Sequence, residues 1–293
     1  MSDTTDATNG RPRAAIVIPH YDDVARLGRC LDALAAQDRS GIELVVVDNG
    51  STQSLDAVRA AHPWARFVTE AQKGAAAARN RGVAETTATG LIFLDADCVP
   101  APDWLAAARR AVRFGTVTGG RVDVFDETEG PRSGPQAFET VFAFDQRAYV
   151  EQKGFSVTAN LVTTRAVFEA TGPFVPGLSE DLDWCRRAVA GGARLVYDDA
   201  LRVAHPSRGD WASLAKKWRR LSAEGFATDG QGARALWATK ALAMPASVLA
   251  HAPRVLRDPR LSAAEKGRAL GTLTRLRLAR AGWMLRQAAT GRP

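Results

Sequence analysis

Three largely apolar blocks that stop abruptly, at Pro19, Asp48 and Asp95, constrain this chain more than any other feature of it. They cover residues 14–18, 42–47 and 91–94, and each has the length of a buried strand. The first is followed by Val24, Leu27, Leu31 and Leu34 at helical spacing. The second runs into Asp48-Asn49-Gly50-Ser51, a string of turn and capping residues ahead of a helix through Leu55 and Val58. A further strand is expected at 66–69 and an alanine-rich helix at 74–85, and the block at 91–94 ends on Asp95. Strands alternating with helices need crossover connections, which predicts an α/β fold with a mostly parallel, Rossmann-like sheet flanked by helices. Ligands of such sheets bind beyond the carboxyl ends of the strands. Those ends carry His20, Tyr21, Asp22 and Asp23, then Asp48 and Asn49, then Asp95 and Asp97, so carboxylates from separate strands converge on one edge.

Further along, the pattern predicts a helix at 104–114, a polar, turn-rich loop at 125–135, strands at 156–163 and 194–197, and a helix at 180–190 closed by Gly191 and Gly192. From Trp211 onward it is helical. A chain of 293 residues fits one domain of about 200 to 250 residues plus an appendage better than two equal domains. Charge divides it the same way: residues 1–204 hold 22 Lys+Arg against 27 Asp+Glu, and residues 205–293 hold 17 against 5. The net charge of +7 therefore belongs to the tail, so no nucleic-acid partner is expected, and a basic segment of this kind suits an anionic surface. Cys30, Cys98 and Cys185 form no CxxC pair, in keeping with a reducing cytoplasm. Residues 1–13 read as a disordered leader without a targeting signal. Residues 235–250 come nearest to a membrane span but are too short and are interrupted by Lys240 and Pro245.

Each motif has a plain structural use beside a chemical one. Asp95 and Asp97 end a buried strand in LIFLDAD, and two such carboxylates are held together most readily by a hard cation, Mg or Mn, bridging to phosphate oxygens. Asp48 caps the helix after it or accepts hydrogen bonds from a base edge. In KGAAAARNRG the alanines form a helix, while Lys73 and Arg79 offer charge to a nucleotide. Glu180, Asp181 and Asp183 suit the start of a helix through its dipole, and Asp181 also suits a general base toward an acceptor hydroxyl. His205 is able to complete a coordination shell begun by Asp97. There is no GxxxxGK[ST] phosphate loop, no GxGxxG after the first strand and no GxSxG elbow, which removes the usual nucleotide hydrolases, dinucleotide oxidoreductases and serine hydrolases.

Taken in order, IVIPHYDD, ELVVVDNGS, KGAAAARNRG, LIFLDADCVPAPDWL, TANLVTTRAVFEATGPF and SEDLDWCRRAVAGG resemble the successive motifs of family-2 glycosyltransferases with the GT-A fold. The resemblance spans residues 14–208. It implies a GT-A domain with a nucleotide-binding half at 14–97 and an acceptor half at 98–208, followed by a helical basic region at 209–293. It also implies inverting transfer of a sugar from a nucleotide diphosphate donor, with Mg or Mn, to a hydroxyl on a glycan or lipid-linked acceptor, in exopolysaccharide or cell-envelope glycan assembly. By that resemblance Pro19, Tyr21, Asp48, Lys73, Arg79 and Asp95 face the donor, a UDP-sugar by preference, and Asp97 and His205 hold the metal. Asp181 is implied as catalytic base with Glu180 beside it, and Asn160, Asp183 and Trp184 fall on the acceptor side.

Two positions depart from the family pattern. Asp22 stands where Asn is frequent and Asn49 where a second Asp is frequent, which leaves room for a nucleotide other than UDP. The QxxRW signature of processive synthases is absent, so a non-processive enzyme is expected. The rivals are a sugar-nucleotide pyrophosphorylase, which would need a Gly-rich loop in place of IPHYDD, and a catalytically dead adaptor of the same fold at a membrane surface. For the tail, one reading is a peripheral position on the inner face of the cell membrane, and the other is a helical hairpin with a merely solvated basic face.

Overall fold

The computed structural model describes residues 13–176 and 179–293. All but one residue of the expected leader lies outside them. The chain begins β1 (Ala14–His20), α1 (Val24–Ala35), β2 (Ile42–Asp48), α2 (Asp56–Ala61), β3 (Arg66–Thr69), α3 (Ala75–Ala84) and β4 (Gly90–Leu94). It continues with β5 (Val99–Pro100), α4 (Trp104–Ala111), β6 (Thr116–Phe125), α5 (Gly134–Phe142), α6 (Gln146–Lys153), β7 (Asn160–Thr164), α7 (Arg165–Thr171), α8 (Glu180–Ala190) and β8 (Arg194–Pro206). Helices α9 (Trp211–Gly225), α10 (Arg234–Ala243), α11 (Ser247–Arg257) and α12 (Ala263–Thr290) follow, with a π-helical turn at Phe226–Gly230.

Two compact units result. One runs to Asp123 and resumes over Asp145–His205; the other comprises Val124–Phe144 and Pro206–Pro293. The first carries an eight-stranded sheet in the order β3-β2-β1-β4-β7-β6-β8-β5. Its early strands pair in parallel, β2 with β3 and β1 with both β2 and β4. Then the direction changes, because β7 is antiparallel to β4 and to β6. The sheet is thus parallel at one side and antiparallel at the other. Strand β4 is buried along its whole length, as expected of a central strand covered on both faces.

The small residues of α3 let it lie directly on that sheet. A Cβ added at Gly82 would overlap Val17 of β1 and press on Val47 of β2. On the antiparallel side Phe93, Phe168, Phe174 and Trp184 interlock, with Phe93 and Phe174 in edge-to-face contact at 5.2 Å between ring centroids. Sequence reasoning does not anticipate β5, β6, α5, α6 or α7, starts β7 four residues early, and gives β8 only its first residues. The reason at β6 is Gly119-Gly120, which reads as a break. A side chain at Gly119 would strike Ser156, and one at Gly120 would strike Asn160 and the Leu201 carbonyl, so close approach of neighbours demands glycine inside the strand.

The second unit is helical. Residues 125–133 of the expected loop end in a capping box, Ser133 with Gln136, that starts α5. Its core joins Ala137, Val141, Val255, Leu261 and Ala269 in one cluster and Phe138, Leu214, Leu273 and Leu276 in another. Buried Glu139 accepts from Arg208 Nη1 at 2.9 Å and Lys217 Nζ at 3.1 Å. Burial alone would raise its carboxyl, but those two cations outweigh burial and hold it below its ordinary value. Among the described residues no helix is long and apolar enough to cross a membrane.

Gly82→Ala should destabilise the protein by about 1–3 kcal/mol through overpacking. Gly28→Ala, in helix α1 with open space around it, should leave stability equal or raise it by up to about 1 kcal/mol. Urea denaturation of both variants checks the contrast.

Candidate active site

The sheet brings its acidic strand ends to one level. In the parallel ladder His20 stands opposite Asp48, and Val17 opposite Phe93, so the chain leaving β4 delivers Asp95, Ala96 and Asp97 beside the end of β1. Antiparallel β7 contributes its beginning to the same edge, since Leu94 pairs with Asn160. The Thr158 hydroxyl, two residues before that strand, therefore arrives where the parallel strands finish. A cleft of about 250 Å³ opens there, with Pro19, Tyr21, Arg79, Asp95 and Asp97 among its lining.

On the β1–β2 side the cleft is shaped by short-range hydrogen bonds. The Asp23 N–H donates to His20 Nε2 at 3.2 Å, which leaves the proton of this buried ring on Nδ1, 3.5 Å from Asp48 Oδ1. Asp48 Oδ1 also accepts the Ser51 N–H at 3.2 Å. Asp22 has φ +47°, the only left-handed non-glycine among the described residues. Asp and Asn tolerate that conformation best, and its Oδ1 fixes it by accepting from the N–H groups of Thr52 at 2.6 Å and Gln53 at 3.1 Å. Those donors, Gln53 first, hold its carboxyl below the ordinary value. Asn49 is 6% exposed and donates to the carbonyls of Glu70 at 3.0 Å and Gln72 at 2.7 Å while accepting the Gly74 N–H at 2.7 Å. It ties down the segment that leads into α3. Lys73 lies 4.7 Å from the Tyr21 ring centroid and donates to the carbonyls of Asn49 and Gly50, each at 3.1 Å.

At the centre is Arg79, 4% exposed. Its Nη2 donates to Asp95 Oδ1 at 2.7 Å and its Nη1 to Glu180 Oε1 at 3.2 Å, so one guanidinium joins the end of β4 to the start of α8. Burial pulls its affinity for the proton down, but Asp95, Asp181 and Glu180 prevail and keep it firmly charged. Next to Glu180, Asp181 accepts from the Thr158 hydroxyl at 2.7 Å. Burial raises the Asp181 carboxyl to about 6, against the lowering effect of Arg79. A carboxylate with that proton affinity, oriented by one hydroxyl, is chemically suited to take a proton near neutral pH. His205 Nε2 lies 3.2 Å from Asp97 Oδ2. Among the described residues no three or more His, Cys, Asp or Glu side chains gather as a metal cage. The Asp97–His205 pair supplies one oxygen and one nitrogen donor, which suits a divalent cation whose remaining ligands come from substrate oxygens.

The three expected acceptor-side residues are each bonded within the fold. Asn160 is wholly buried, accepting from Trp104 Nε1 at 2.9 Å and donating to the carbonyls of Arg121 at 2.9 Å and Leu201 at 2.8 Å, so it stitches β7 to its surroundings. Trp184 is a core residue whose Nε1 donates to the Gly172 carbonyl at 2.9 Å. Asp183 accepts from Arg187 one turn on, at 2.8 Å from Nε. Sequence reasoning placed His20 at the end of the first strand without giving it a role, and it passed over Thr158, which carries no local signal because its contact with Asp181 is made across the fold.

This sheet, with its acidic edge, is the GT-A fold of glycosyltransferases. The mannosyltransferase PcManGT from Pyrobaculum calidifontis, solved in complex with GDP-Man and Mn2+, matches it with a TM-score of 0.55 and 21% identity over 96% of this chain and 74% of its own. The sequence profile of glycosyl transferase family 2 matches residues 15–182, and the chain belongs to that family. It is 29% identical to glycosyltransferase AglE of Haloferax volcanii over 72% of this chain and 73% of that protein. It is 30% identical to the pre-mycofactocin glycosyltransferase of Mycobacterium tuberculosis over 72% of this chain and 48% of that one.

Asn49→Asp removes both donations to the Glu70 and Gln72 carbonyls and sets a carboxylate against them. It should cost about 1–3 kcal/mol, as expected when buried partners are left unsatisfied. Thermal melting of the variant measures it.

Proposed function

We propose that the protein is an inverting, metal-dependent glycosyltransferase that moves a sugar from a nucleotide diphosphate donor to a hydroxyl on a glycan or lipid-linked acceptor. The observation that carries this reading is the continuous arrangement Thr158–Asp181, Glu180–Arg79–Asp95, which joins a carboxyl of raised proton affinity to the lining of the cleft. In the reaction the acceptor oxygen forms its bond to the anomeric carbon as the bond from that carbon to the diphosphate oxygen breaks, and the acceptor proton passes to Asp181. Thr158 and the Arg79–Glu180 pair hold Asp181 in place. Asp97 and His205 would hold Mg or Mn, whose chemistry there is to offset negative charge on the diphosphate. Pro19, Tyr21 and Asp48 serve the base end of the donor. We favour a UDP-sugar, although the fold match PcManGT was solved with GDP-Man. Cell-envelope or exopolysaccharide glycan assembly is the setting we assign, in the cytoplasm, where the buried free thiols Cys30, Cys98 and Cys185 are at home.

Asp181→Asn should bind donor as the wild type does and lose about 10²–10⁴-fold in turnover, read as nucleoside diphosphate release. Unchanged turnover would overturn the assignment. A base works only when ionised, and burial lifts this one to about 6. Wild-type turnover should therefore fall about tenfold per pH unit below that point and level off above it, with this limb missing in Asp181→Asn.

UDP at 100 times its dissociation constant should stabilise the Mn-loaded protein by about 2.7 kcal/mol in a thermal-shift assay. A shift with GDP alone would replace UDP as the donor nucleotide.

A further inference from the structure

Every exposed leucine among the described residues lies in the helical second unit. Leu236 at 56%, Leu242 at 69%, Leu249 at 80% and Leu256 at 54% sit on α10 and α11, and Leu278 at 56% sits on α12. Helix α11 is two-sided. Val255 is fully buried, and Val248 packs against the cluster of Phe138 and Leu214, while Leu249 and Leu256, two turns apart, point away from that core. The unit's own packing is thus complete without the outer leucines, and solution exposure of such a set is unfavourable unless something covers it.

The electrostatics select the cover. Residues 234–257 contain no Asp or Glu. They carry Lys240 and Arg257, both exposed, beside the outer leucines. In the same unit Lys216 and Arg219 rim a groove of about 510 Å³ walled by Trp283 and floored by alanines such as Ala215 and Ala223. With 17 Lys+Arg against 5 Asp+Glu over residues 205–293, two copies facing each other here would repel. An occupant that is apolar within and anionic at its surface satisfies both the leucines and the cations. We propose that α10 and α11 dock this protein on an anionic phospholipid bilayer, with Leu236, Leu242, Leu249 and Leu256 entering the interface and Lys240 and Arg257 meeting lipid phosphates. The helices lie on the surface rather than cross it, since none is long and apolar enough to span. This docking is independent of the sugar chemistry and goes beyond it.

The test is co-sedimentation of the full chain with vesicles of phosphatidylcholine alone or with about one third phosphatidylglycerol, the anionic leaflet that basic juxtamembrane residues read. The protein should pellet with the anionic vesicles and release as salt rises. Leu249→Gln/Leu256→Gln should lower partitioning at least about tenfold, from the loss of two buried leucines, and Lys240→Glu/Arg257→Glu should lower it as well, with melting temperatures unchanged in both. The proposal is overturned if the anionic vesicles retain no protein, or if both variants bind as the wild type does. It is equally overturned if the leucine variant merely turns a dimer into a monomer in light scattering while vesicle binding stays the same.

Discussion

The buried guanidinium of Arg79 is the interaction on which the rest of the site depends. Parallel strands end where their ligands bind, so the edge collects carboxylates, and like charges so close would scatter or take up protons. Arg79 accepts that burden from α3, reaching Asp95 at the end of β4 and Glu180 at the start of α8. It does so because α3 is nearly bare of bulk: Ala76, Ala77, Ala78 and Gly82 let the helix settle on β1 and β2 and bring the arginine under the cleft. The small residues of this helix are thus part of the electrostatics, since a bulkier helix would stand off and leave the carboxylates unpaired.

The change of direction in the sheet matters as much. A wholly parallel sheet supplies only strand ends followed by helices. Once β7 runs antiparallel to β4, a strand beginning comes to the same edge, and with it Thr158. The hydroxyl orients Asp181, which stands in the first turn of α8. Burial then raises this carboxyl while Arg79 restrains the rise, leaving it near the value at which a base both exists as the anion and holds a proton well.

How much of this could be read from residues depends on distance along the chain. The parallel half was legible because β1, β2 and β4 are largely apolar runs and α1 has clean helical spacing; β1, β2, β3 and β4 fall within a residue or two of the expected blocks. The acidic edge was legible because topology alone assigns ligands to strand ends. Strand β6 was not, since Gly119 and Gly120 answer to neighbours remote in sequence. The same holds for Asn160 and Trp184, whose polar atoms look free in a one-dimensional motif yet are bonded inside the fold to Arg121, Leu201 and Gly172. Local pattern reports what a residue's own helix or strand needs, and it is silent about groups that meet across the sheet.

Charge closes the argument linking the two parts of the chain. Residues 1–204 hold 27 Asp+Glu against 22 Lys+Arg, so by themselves they would be turned away from any anionic lipid surface. In the proposed reaction the carboxylates of that edge handle a proton and a cation, so the edge cannot be neutralised without losing that chemistry. On the proposed docking to an anionic bilayer, that repulsion has to be overcome elsewhere in the chain. Residues 205–293 hold 17 Lys+Arg against 5 Asp+Glu together with the exposed leucines, which supplies both the attraction and an apolar foothold that persists when salt screens charge. Separating the two signs along one polypeptide lets the carboxylate site and the proposed membrane contact each keep the charge it needs.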